Sequence, residues 1–158
     1  MKELSGTAAT LVAAEAEACL EMLAAVDRYS DWYPEVITHA EILERAGDGA
    51  PVRAAATVHV SVGPVQRKFD LLLEVDVGDR HVRLLRIAHD HADGEHFEVR
   101  CTVLDGERTE LQVALQARLD VPRFLPLGDV GDSVAQGFVE AARRVLDGSS
   151  PNASASSS

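Results

Sequence analysis

Residues 51–77 read PVRAAATVHVSVGPVQRKFDLLLEVDV, and the fold turns on this segment. In its first half Val52, Ala54, Ala56, Val58, Val60 and Val62 alternate with Arg53, Thr57, His59 and Ser61, the period of two expected of a half-buried strand. The second half repeats the pattern, with Val65, Phe69, Leu71, Leu73, Val75 and Val77 set against Gln66, Lys68, Asp70, Glu74 and Asp76. Gly63-Pro64 between the runs is a turn signal, so the segment predicts an antiparallel hairpin with one dry and one wet face.

The same period extends outward from the hairpin. Further strands are expected at 36–45, 81–88, 96–104 and 109–121, the last with Leu111, Val113, Leu115, Ala117, Leu119 and Val121 on one face. The turns between them are short and contain glycine, which predicts an antiparallel meander. Upstream, a strand ending at Val12 gives way to a helix near Ala14, where Cys19, Met22, Leu23 and Val26 share one face. A short helical turn through Asp27-Arg28-Tyr29-Ser30-Asp31-Trp32-Tyr33 stops at Pro34. Downstream, Val130, Val134, Phe138, Ala141 and Val145 return to helical spacing, with Asp129 as N-cap and Asp132 in the first turn. The chain is therefore α+β. One helix about 10 Å wide cannot cover six or seven strands about 4.8 Å apart, so the sheet must curl around it or leave a cavity.

At 158 residues, with 46% hydrophobic and 26% charged residues, this is one globular domain, expected at 1–146. Residues 147–158, DGSSPNASASSS, have no apolar periodicity and are expected to form a disordered tail. The net charge of −11 excludes a general nucleic-acid or anionic-membrane surface, and no apolar run is long enough for an integral membrane span. Two cysteines, Cys19 and Cys101, are too few for a disulfide framework and both fall on apolar faces as inert core thiols. With no apolar signal segment at the start, a cytoplasmic location is expected. The oligomeric state is left open.

Few polar residues fall on inward positions. Thr38, Arg67 and Arg86 interrupt the apolar alternation, and an inward arginine calls for an anionic or carbonyl partner unless it reaches solvent from the nearby turn. His89-Asp90-His91-Ala92-Asp93-Gly94-Glu95-His96 is rich in metal-ligand residue types. A hairpin has to turn at Ala92-Asp93-Gly94, however, so the segment reads as a solvated turn and no metal is assigned. No Walker loop, GxGxxG, GxSxG or HExxH is present, so no cofactor is expected.

Asp27 and Trp32-Tyr33-Pro34-Glu35, followed by strand 36–45 in this element order, resemble the START and birch-pollen-allergen (SRPBCC) superfamily. The resemblance is strongest to its polyketide cyclase/dehydrase and lipid-transport branch, which includes the coenzyme Q-binding proteins, and it runs over residues 9–146. It implies a helix-grip fold: a seven-stranded antiparallel sheet wrapped around a long C-terminal helix, two short helices after strand 1, and a pocket for an apolar molecule. Aromatic polyketide cyclases of this family carry an inward Arg and Ser on the strand matching 65–77. Leu73 and Leu71 stand there in this chain, which counts against cyclase chemistry.

The expected function is thus binding of a small hydrophobic ligand, a lipid, isoprenoid quinone or polyketide, in a cavity between sheet and C-terminal helix. Its expected wall is Trp32, Val58, Val60, Arg67, Phe69, Leu71, Leu73, Leu84, Phe97, Val99, Val113, Leu115, Phe124, Val134, Phe138 and Ala141. Trp32 reads either as lining the entrance, as the family suggests, or as a plug in the core. Phe124-Leu125, an apolar tip between two prolines, reads as a lid over the mouth or as a plug on the helix. The first alternative is an aromatic polyketide cyclase or dehydratase with Arg67, Thr38 and His39 as acid/base or carbonyl-orienting groups. The second is an interaction module that docks through its acidic face.

Overall fold

The computed structural model of the chain describes residues 2–62, 64–87, 95–119 and 129–148. Strand β1 (Lys2–Val12) leads into helix α1 (Ala16–Ala24), a 3-10 turn (Val26–Arg28) and helix α2 (Tyr29–Trp32). Six strands follow, β2 (Ile37–Arg45), β3 (Pro51–Val62), β4 (Val65–Val77), β5 (His81–Arg86), β6 (His96–Leu104) and β7 (Thr109–Leu119), and then helix α3 (Val130–Gly148). The sheet order is β1-β7-β6-β5-β4-β3-β2, antiparallel throughout. This is the helix-grip arrangement.

The hairpin pairs as its alternation predicts: Ala54 faces Leu73, Ala56 faces Leu71, Val58 faces Phe69 and Val60 faces Arg67. The inner face continues across the sheet through Val75, Leu84, Val99 and Leu115, which form one register row. On the outer face Asp70, Glu74 and Asp76 are exposed. Glu98 on that face is only 15% exposed, because Arg83 Nε (2.8 Å) and Arg100 Nη2 (3.2 Å) donate to its carboxylate. The hydrogen bond from Arg83 holds the Glu98 carboxyl below the usual carboxylate range.

Helix α3 differs from the expected stripe by a rotation. Its buried residues are Gly131, Ala135, Phe138, Val139, Ala141, Ala142 and Leu146, whereas Val145 is 38% exposed. Small residues explain the shift, since Gly131, Ala135 and Ala142 let the helix backbone come close to the sheet, which a line of valines would prevent. At Gly131 the approach is so tight that a Cβ would overlap the Ser5 carbonyl, and a Cβ on Gly6 would overlap the Gly131 carbonyl.

Two carboxylates fasten α3 along the outer edge of β1. Asp132 Oδ1 accepts the Thr7 N–H at 3.1 Å, and Asp147 Oδ1 accepts the Ala13 N–H at 2.9 Å. The Thr7 amide of the edge strand thereby finds a partner that a neighbouring strand would otherwise supply. The second of these bonds also corrects the expected start of the tail, because Asp147 and Gly148 belong to the helix. Residues 149–158 lie outside the described residues.

Burial is graded along the strands. At the end near α1, Val12, Leu23, Val82, Cys101, Val103, Leu111, Val139 and Ala142 exclude solvent almost completely. Toward the other end the same strands present Val60, Phe97 and Arg86 only half-buried. Cys19 and Cys101 are both in the filled end, and burial pushes their thiols up to about 11 and about 12, as expected of inert core cysteines.

Candidate ligand cavity

The half of the interior that α1 does not reach is hollow. Its floor is the inner sheet face, with Ala56, Val58 and Val60 of β3, Leu71 and Leu73 of β4, Leu84 of β5, Phe97 and Val99 of β6, Val113, Leu115 and Ala117 of β7 and Leu4 of β1. Its roof is the first half of α3, through Val130, Val134, Ala135 and Phe138, and its side wall is Val26, Tyr29, Tyr33, Val36 and Ile37. Empty space among these side chains, open mouth included, amounts to about 800 Å³, whereas the cavity itself is about 70 Å³. The smaller figure governs what fits without movement. It describes a narrow slot that holds a thin or flat molecule, and a bulkier ligand has to widen it.

Among the described residues only two lining side chains carry a polar atom, and both are engaged. The Tyr29 hydroxyl donates to the Leu23 carbonyl, and the Tyr33 hydroxyl donates to the Val134 carbonyl at 3.0 Å. Burial, with lesser contributions from Cys101 and Cys19, holds Tyr29 well above the ordinary tyrosine range. Burial and the nearby Glu35 push Tyr33 up to about 12. Neither phenol exchanges protons near neutral pH.

Eleven of the expected wall residues line this slot: Val58, Val60, Leu71, Leu73, Leu84, Phe97, Val99, Val113, Leu115, Val134 and Phe138. The others do not. Trp32 stands behind the wall, its ring centroid 5.0 Å from Tyr29 and 5.0 Å from Phe138, with its indole Nε1 buried and without a hydrogen-bond partner among the described residues. Phe69 packs half-buried at the rim, and Ala141 is locked into the filled end. Arg67 shares the inner-face register but is exposed at the end of the hairpin. Phe124 and residues 88–94, which contain most of the histidine-rich turn, lie outside the described residues.

Thr38 and His39 are corrections of another kind. A register shift between Ile37 and His39 inserts one extra residue in β2, so Thr38 leaves the inward series, and both side chains are exposed. Arg86 keeps its inward parity, half-buried at the rim, and donates to the Glu95 carbonyl at 3.0 Å.

Sequence reasoning missed Tyr29 and Tyr33 as wall residues. Their signal was present, because Val26, Tyr29 and Tyr33 continue the helical spacing of the α1 stripe. A second signal was Gly137 within α3, where an ideal Cβ would lie 2.5 Å from the Tyr33 oxygen. Glycine in a helix interior costs up to about 1 kcal/mol relative to alanine, so its presence marks a need for space. Gly137→Ala is expected to lower stability by about 1–2 kcal/mol, through displacement of the phenol and loss of its hydrogen bond. In a Tyr33→Ala background the same change should raise stability by up to about 1 kcal/mol. Urea denaturation of the four proteins reads this reversal of sign.

The sequence profile of the family described as polyketide cyclase/dehydrase and lipid transport matches residues 12–143. The chain belongs to that family. A START superfamily protein from Mycobacterium smegmatis is 22% identical, with a TM-score of 0.70 over 91% of this chain and 96% of that one. A Thermus thermophilus protein is 16% identical, with a TM-score of 0.68 over 93% and 100%. The Zhui aromatase/cyclase from Streptomyces sp. R1128 is 24% identical, with a TM-score of 0.52 over 92% and 89%. At these identities the likenesses establish the fold. No curated protein matches the sequence. Among the described residues no helix of this polyketide cyclase/dehydrase family member is long and apolar enough to cross a membrane, and no group of three or more His, Cys, Asp or Glu is placed to hold a metal.

Proposed function

We propose that the domain binds a small hydrophobic molecule, such as a lipid, isoprenoid quinone or polyketide, between the sheet and the first half of α3. The observation that carries this reading is an apolar slot whose two hydroxyls are both given to backbone carbonyls. Such a site rewards removal of apolar surface from water and, with both hydroxyl hydrogens taken, offers a ligand no free side-chain hydrogen-bond donor among the described wall residues. An apolar chain that surrenders about 300 Å² gains roughly 7 kcal/mol before ordering costs, a micromolar affinity at best.

A cyclase of the kind the Zhui name denotes needs a proton donor and acceptor at its substrate. The described wall has no side-chain donor to spare, and Thr38, His39 and Arg67 are all exposed. Among the described residues binding is therefore the better-supported reading.

Trp32 is the chain's single tryptophan and touches two wall residues, so its emission is a direct probe. Titration with a long-chain quinone or fatty acid at micromolar concentration is expected to shift or quench it saturably. Unchanged emission, together with native mass spectrometry showing no retained molecule, would overturn the proposal.

A further inference from the structure

We infer that the ligand is an amphiphile with a carboxylate head, its apolar body in the slot and its head held by Arg67 at the mouth; this rests on the binding proposed above. The first ground is register. Arg67 lies directly across from Val60, a wall residue, and cross-strand partners have Cβ atoms roughly 5 Å apart. Along the inner face of β4 the side chains pass from buried Leu73 and Leu71, through half-buried Phe69, to exposed Arg67. At about 3.3 Å per residue the floor from Leu73 to Arg67 is about 20 Å long, apolar until its last position, where it carries a cation.

The second ground is elimination. A ligand's carboxylate finds no free side-chain donor among the described residues inside the slot, because the Tyr29 and Tyr33 hydroxyl hydrogens go to Leu23 and Val134. Among the described residues this leaves the mouth as its place. Of the two inward arginines at the rim, Arg86 is engaged with Glu95, whereas Arg67 makes no hydrogen bond or ion pair among the described residues. In a chain of net charge −11 several guanidinium groups are already taken up by carboxylates, among them Arg80 by Asp105, Arg83 by Glu98 and Arg118 by Glu3. A free guanidinium beside an apolar slot presents the planar donor fork that a carboxylate accepts on two oxygens.

The test compares dodecanoate with 1-dodecanol at pH 7.5 by titration calorimetry, so that chain length is constant and only the head changes. The wild-type chain is expected to prefer the acid by about tenfold. Arg67→Ala should erase that preference by weakening the acid far more than the alcohol, and Arg67→Lys should retain part of it. Lys68→Ala serves as control, since Lys68 is an exposed cation one residue along but on the outer face. It should leave the preference intact. Equal binding of acid and alcohol by the wild type, a preference that survives Arg67→Ala, or an equal loss in Lys68→Ala overturns the carboxylate assignment and leaves the cavity reading standing. Failure of both amphiphiles to bind overturns both.

Discussion

Gly131→Ala and Gly6→Ala are each expected to cost at least about 3 kcal/mol, a large part of the roughly 5–15 kcal/mol that typically holds a domain together. In both cases the new Cβ meets backbone: the Ser5 carbonyl for Gly131 and the Gly131 carbonyl for Gly6. No side-chain rotation relieves such an overlap. Helix α3 has to retreat from β1, and retreat weakens the Asp132 bond to Thr7 and uncovers the filled core around Val139 and Ala142. The double substitution should cost little more than either single one, because the first has already moved the helix. Chemical denaturation of the three variants measures this. A loss below about 1 kcal/mol in either single variant would mean that the helix can slide without penalty, and the account of the contact would be wrong.

Ala56→Phe is expected to abolish ligand binding, by a hundredfold or more, while stability stays level or rises. Ala56 faces Leu71 and lines the slot, so a phenyl ring there enters empty space and occupies the volume a ligand would take. The same enlargement at Ala141, in the filled end, should do the reverse. It overpacks a site that is only 1% exposed and should cost about 1–3 kcal/mol or more, with ligand affinity retained in whatever fraction is folded. Paired thermal melts and dodecanoate titrations of the two variants separate the halves of the interior. If Ala56→Phe binds like the wild type, the slot is not where the ligand goes.

The contrast between these sites shows what could be read in the sequence. Alternation in 51–77 assigned the two faces of the hairpin correctly because period two ties each side chain to a face, and one face had to be apolar. The need for a cavity followed from counting strands against one helix. What failed has particular causes. Thr38 was misplaced because a bulge adds a residue without leaving a mark in the hydrophobic pattern. Val145 was misplaced because the helix face is chosen by where Gly131 and Ala135 permit close approach, and hydropathy does not register closeness. Ala141, expected in the wall, belongs to the filled end, since a stripe along a helix does not say where along it the cavity stops. Tyr29 and Tyr33 line the slot from a turn that hydropathy alone does not mark as wall, though their spacing from Val26 and the otherwise costly Gly137 point to them.

The gradient of burial along the strands has a consequence for how the domain opens. Each of β3 to β7 runs from an anchored half to a half that faces the slot, so the boundary between firm and yielding structure crosses the strands and does not fall between them. Amide exchange should therefore slow from Phe97 to Val103 within the single strand β6, as local opening at the slot end gives way to whole-domain unfolding. A molecule can enter and leave by breathing at one end while the other end keeps the register, so the rate of exchange and the stability of the fold are open to independent adjustment by different residues of the same strands.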